Sequence, residues 1–147
     1  MRQVHYVLQF KGVGGPKRGV KGVLATTSHA TAGTITTTIG AESVDAKIKP
    51  GRGKAIFKSE VRFNPDGTFL ESGIIRFAGA GSITFSTRGA GFMEPSKDPD
   101  LKHGAIMWQV DKGTGFFKGA TGIITSNFTF SKKGAVVDNQ WGVIFLK

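Results

Sequence analysis

Gly113-Thr114-Gly115-Phe116-Phe117-Lys118-Gly119-Ala120-Thr121-Gly122 is the stretch on which the fold turns, and it holds four glycines. It lies between Ala105-Ile106-Met107-Trp108-Gln109-Val110 and Ile123-Ile124-Thr125-Ser126-Asn127-Phe128-Thr129-Phe130, both of which read as strands. Glycine opens backbone angles closed to other residues, so the chain can reverse sharply here, with Phe117 as a plug inside the turn. A dinucleotide-binding loop is the rival reading, and it fails on two counts. The spacing is G-x-G-x-x-x-G, and a strand follows, leaving no helix N-terminus to hold a pyrophosphate.

Upstream of this turn lies the clearest hairpin in the chain. Gly53 to Phe63 and Thr68 to Phe77 are joined by Asn64-Pro65-Asp66-Gly67. Proline suits the first central position of a type I turn, and glycine suits the left-handed residue that follows. This turn pairs Phe63 with Phe69 and, stepping back, Val61 with Glu71. One face then carries Ala55, Phe57, Ser59, Val61 and Phe63 against Phe69, Glu71, Gly73, Ile75 and Phe77. The other carries Lys54, Ile56, Lys58, Glu60 and Arg62 against Leu70, Ser72, Ile74 and Arg76. The first face is the core side, and Glu71 is the one charge on it.

The remaining segments are also strand-like. Residues 3–11 place Val4, Tyr6, Leu8 and Phe10 on one face. Val20–Ala25 and Thr34–Ile39 read as short strands separated by Thr26–Ala30, and Val44–Ile48 as another ahead of a Lys49–Gly53 turn. Ser82–Thr87 turns Ile83 and Phe85 inward, and Met93–Asp100 reads as a rim loop. Ile106, Trp108 and Val110 share an apolar face. At the C-terminus Val137, Asn139, Trp141, Val143 and Phe145 alternate with Val136, Asp138, Gln140, Ile144 and Leu146. The count is about eight strands joined by short turns, which predicts an all-β, single-domain chain (1–147) folded as an antiparallel up-and-down barrel of the calycin type. Such a barrel fills its interior or holds one small ligand.

The G-x-G-x-F-x-G-A-x-G turn of residues 113–122 resembles the penultimate hairpin of the allene oxide cyclase and dirigent-like β-barrel proteins. The resemblance extends from about Gly53 to the C-terminus. It implies a cofactor-free isomerase or cyclase that shapes an apolar substrate inside the barrel, and a homo-oligomer, trimer or dimer. The motif carries no catalytic residue, so site candidates come from the strand faces. Glu71 is the candidate acid, base or polar anchor, with Asn139 as a possible partner. Tyr6, Phe57, Phe69, Phe85, Trp108, Asn139 and Trp141 line a pocket if the barrel is open at one end, and are simply core if it is not.

Composition bounds the alternatives. The chain of 147 residues has no cysteine, which excludes disulfides, thiolate metal sites and cysteine nucleophiles. Its three histidines, His5, His29 and His103, are widely spaced and suggest no metal site, and no G-x-S-x-G elbow supports hydrolysis. No cofactor is expected. Twenty basic residues against ten acidic give a net charge of +10. That balance fits attraction to anions or a solvated exterior, and without a stacking pattern of aromatics it predicts no sequence-specific nucleic-acid partner. No run approaches the roughly 18 apolar residues of a membrane helix, and Lys54, Lys58, Glu60 and Arg62 on one outer face argue against a membrane barrel. The expectation is a cytoplasmic protein for a small hydrophobic ligand or substrate, or alternatively a non-catalytic binder of a hydrophobic or anionic one.

Overall fold

A computed structural model describes residues 1–147. The chain is all-β apart from one 3₁₀ turn. Nine strands follow in order: β1 (Arg2–Pro16), β2 (Val23–Ile39), β3 (Val44–Phe63), β4 (Phe69–Phe77), β5 (Gly81–Thr87), β6 (Phe92–Pro95), β7 (Leu101–Gly113), β8 (Thr121–Ser131) and β9 (Ala135–Leu146). All belong to one antiparallel sheet, ordered β5-β4-β3-β2-β1-β9-β8-β7-β6. A further ladder joins β5 to β7, from Ile83↔Gly113 to Thr87↔Trp108, so the hydrogen bonding closes into a ring. β6 pairs with β7 farther along the same edge, from Phe92↔Ala105 to Pro95↔Lys102. β5 and β6 thus share one place between β4 and β7, which gives the ring eight positions.

The hairpin of β3 and β4 has the register its turn residues demand. Phe63 pairs with Phe69 and Val61 with Glu71. Gly67 sits at φ +85°, and its N–H donates to the Asn64 carbonyl at 3.1 Å. The inner face of the ring collects Phe10, Phe57, Phe69, Ile75, Phe85, Trp108, Ile124 and Ile144, all buried. Burial of each large apolar side chain stabilises the fold by roughly 1.5–3 kcal/mol.

The stretch 113–122 closes one end of that interior. Gly115–Phe117 forms the 3₁₀ turn and buries Phe117, whose ring lies 4.9 Å from that of Phe77. A Cβ at Gly113 would stand 1.9 Å from the Phe117 carbonyl oxygen, so only glycine allows this close a return. The Thr114 and Phe116 N–H groups donate to the Ser82 and Ala80 carbonyls, which pins the turn to the start of β5.

Two expectations are corrected. Residues 23–39 and 44–63 are not short strands broken at Thr26–Ala30 and Lys49–Gly53; each is one continuous strand. Their shared ribbon leaves the ring at a register shift between Thr31 and Gly33 and continues as an arm, from Gly33↔Pro50 to Ile39↔Val44. No third strand pairs with the arm, so Pro50, which has no N–H to donate, lies on an edge strand, where proline is tolerated. One arm face pairs Ile35 with Ile48 and Ile39 with Val44, the other Thr36 with Lys47 and Thr34 with Lys49, and residues 33–54 are all exposed. The rim loop also contains β6, formed because the free edge of β7 accepts a ladder there. No helix is long and apolar enough to cross a membrane.

Candidate functional site

A cavity opens at the end of the ring opposite Phe117. Its walls include Leu24, Phe57, Val61, Phe69, Phe128 and Val136, and Phe63 stands at its mouth, 43% exposed. The free volume is about 60 Å³, narrow enough that a small ring or the head of a larger molecule would fill it. Below lies an aromatic floor. Phe57, Phe85 and Trp108 meet with ring centroids 5.3 Å (Phe57–Phe85), 5.5 Å (Phe57–Trp108) and 4.6 Å (Phe85–Trp108) apart.

Two carboxyl groups enter this cavity, Glu71 from β4 and Asp138 from β9, and they are 8% and 4% exposed. The Ser59 hydroxyl donates to Glu71 Oε1 at 2.5 Å and is itself 2.5 Å from Thr26 Oγ1. The Ser126 hydroxyl donates to Asp138 Oδ1 at 2.6 Å, and the Gln140 amide N–H to Oδ2 at 2.7 Å. The Tyr6 hydroxyl donates to Gln140 Oε1 at 3.1 Å, which turns the amide nitrogen toward Asp138. Trp108 is 1% exposed, and its indole nitrogen has no hydrogen-bond partner within normal geometry, although its N–H is near enough to Glu71 to favour the carboxylate.

Burial raises both carboxyls. Glu71 is pushed to about 8, chiefly by desolvation; the Ser59 hydrogen bond opposes this and the charge of Asp138 adds to it. Asp138 is raised to about 6 by desolvation, opposed by Ser126 and Gln140. The Tyr6 hydroxyl is also held well above its ordinary value, first by burial and then by Asp138. At neutral pH the cavity therefore offers a protonated carboxyl and an ionised one. Such a pair can donate to a ligand oxygen, accept from a ligand N–H or O–H, or hold and release a proton.

The candidates from the sequence separate into three groups. Glu71, Phe57 and Phe69 line the cavity, and Tyr6 supports it through Gln140. Phe85 and Trp108 form the floor rather than the wall. Asn139 and Trp141 point to the outside, which corrects their expected place: Asn139 accepts from Gln9 there and Trp141 is 56% exposed. The inward side of β9 is instead Asp138, Gln140, Gly142 and Ile144, all buried, so Asp138 rather than Asn139 accompanies Glu71. Glu60 lies on the outer face and pairs with Lys17, a partner from the loop after β1 rather than from its own hairpin. Ser59, Ser126, Asp138 and Gln140 do not stand out in the sequence as site residues. The signal for Asp138 was its place opposite Phe10 once β1 and β9 are paired. No family model, curated protein or solved structure matches the chain.

Proposed function

We propose that the ring is a β-barrel that takes a small, mainly apolar ligand through its open end and orients it with Glu71 and Asp138. The observation that carries this reading is the convergence of two buried carboxyl groups on an apolar cavity at the end of the ring opposite Phe117. Core packing alone has no use for such a pair, because burying a carboxyl is costly unless something compensates for it. The anionic ligand first considered is disfavoured, because no basic side chain faces the cavity. NMR titration of the methyl-labelled protein with benzyl alcohol tests the proposal. Shifts should appear at Leu24, Val61, Met93 and Val136, and Val61→Phe should abolish them by filling the space. Shifts confined to surface methyls would refute it.

A second reading is the cofactor-free isomerase or cyclase that the resemblance of residues 113–122 implies. What favours it is the separation of the two carboxyls, about 8 and about 6, into an acid and a base at neutral pH. A small β,γ-unsaturated ketone such as cyclohex-3-enone is a suitable probe, followed by the absorbance of the conjugated product. A rate above buffer that is lost in Asp138→Asn supports catalysis. A rate equal to buffer leaves the barrel a binding protein.

A further inference from the structure

The two carboxyl groups of the cavity are surrounded by donors and lack a counter-charge. Each hydrogen bond made to them comes from a neutral group: Ser59 to Glu71, and Ser126 and Gln140 to Asp138. The unpartnered Trp108 N–H also faces Glu71. Hydrogen bonds of this sense favour the ionised form of a carboxyl. Two further contacts strengthen the arrangement, because Thr26 backs Ser59 and Tyr6 fixes the amide of Gln140. The donors are therefore placed to hold Asp138 as a carboxylate, and to hold Glu71 as one once it gives up its proton.

Nothing positive meets them. Of twenty lysines and arginines none is buried, and the three histidines are all exposed. Buried charges are ordinarily paired or bound to metal. A metal ion is poorly served here, because no group of three or more His, Cys, Asp or Glu side chains gathers anywhere in the chain. Apart from the hydroxyls of Thr26, Ser28 and Ser126 the rest of the wall is apolar and aromatic, with Phe57, Phe69 and Phe128 around the acids. Aromatic faces attract organic cations, and apolar walls suit an organic body.

We infer that the cavity recognises a small amine, an ammonium group on a compact apolar or aromatic body. The inference rests on the ligand-binding reading above and names the chemical class of the ligand. An amine arriving unprotonated takes the proton of the Glu71 carboxyl: the O–H bond breaks, an N–H bond forms, and the two electrons of the O–H bond stay on the carboxylate. An ion pair then stands in the cavity, although no net charge has crossed the basic exterior. Asp138 supplies the second contact, and the Phe57, Phe69 and Phe128 rings enclose the body of the ligand.

Benzylamine, benzyl alcohol and benzoate, titrated at pH 7 against the interior methyl signals, decide the matter because they differ only in the head group. Benzylamine should bind at least tenfold more tightly than benzyl alcohol, and benzoate should leave the interior signals unmoved. The double variant Glu71→Gln/Asp138→Asn, which keeps the shapes and removes the charges, should bring benzylamine down to the affinity of benzyl alcohol. If benzyl alcohol binds as well as benzylamine, or better, the amine class is wrong while the binding cavity stands. If the variant keeps the full preference for benzylamine, the two carboxyls are not its cause and the inference falls. If none of the three moves the interior signals, the inference and the binding reading fall together.

Discussion

Glu71→Gln should make the protein more stable at neutral pH, because it removes a carboxyl that burial holds protonated. The Glu71 carboxyl has a folded-state pKa of about 8 against an ordinary 4.5. Between those values the folded chain keeps the proton and the unfolded chain has lost it. The contribution of Glu71 is therefore fully present below about pH 4.5 and is lost as the pH rises, by about 1.36 kcal/mol for each unit until the folded group also ionises. By pH 7 the penalty is about 3 kcal/mol. Glutamine has nearly the same shape, its carbonyl can accept the Ser59 hydroxyl, and it carries no such penalty. For a chain of this size a gain of about 3 kcal/mol corresponds to roughly 6–12 °C in Tm. Urea unfolding of both proteins from pH 4.5 to 8.5 measures the effect, and comparing them cancels the titration of the exterior. The wild type should lose stability across that range relative to the variant. Parallel curves, or a variant less stable at pH 7 than at pH 4.5 by as much as the wild type, would refute the reasoning.

Three further outcomes are expected. Gly113→Ala should cost about 3 kcal/mol in urea unfolding, because its Cβ would be driven into the Phe117 carbonyl oxygen. Trp141→Phe should remove nearly all iodide-quenchable fluorescence, since Trp141 is 56% exposed and Trp108 only 1%. On the outer face of β4, Leu70 is 44% exposed beside the half-buried Ile74, and we propose that it takes part in self-association. Leu70→Glu should then lower the mass seen by light scattering, and a wild type monomeric at micromolar concentration would end that proposal.

The β3–β4 hairpin was legible because its own turn dictates its register. Asn64-Pro65-Asp66-Gly67 admits few geometries, and from it the inward place of Glu71 follows by counting. The glycine turn at 113–122 was legible for the same reason. The last strand was not. Its alternation set Val137, Trp141, Val143 and Phe145 against a half containing Asp138 and Gln140, and hydrophobicity pointed to the wrong half. The inward side contains Gly142 because the Tyr6 ring occupies its space, where a Cβ would stand 2.1 Å from Tyr6 Cε1. That exchange of volume belongs to the Tyr6↔Gly142 pair across two distant strands, so it leaves no local pattern. The acids are tolerated inside because Ser126 and Ser59 reach them from neighbouring strands and Gln140 from two residues along β9. The threonine-rich arm escaped for a related reason. Lys49-Pro50-Gly51-Arg52-Gly53 has the composition of a turn, and only pairing with residues 31–34 keeps it extended.

That arm gives the molecule two levels of hydrogen exchange. In the ring every strand but the short β6 is flanked by two ladders and rests on the buried interior, so its amides are released only by openings that disturb much of the structure. In the ribbon from Gly33↔Pro50 to Ile39↔Val44 each strand has one partner and no buried side chain. A two-stranded hairpin is marginal by itself in water. Its amides are therefore released by a separate, low-energy opening that leaves the cavity intact. A denaturation midpoint then reports on the ring, and the arm melts earlier as an independent unit.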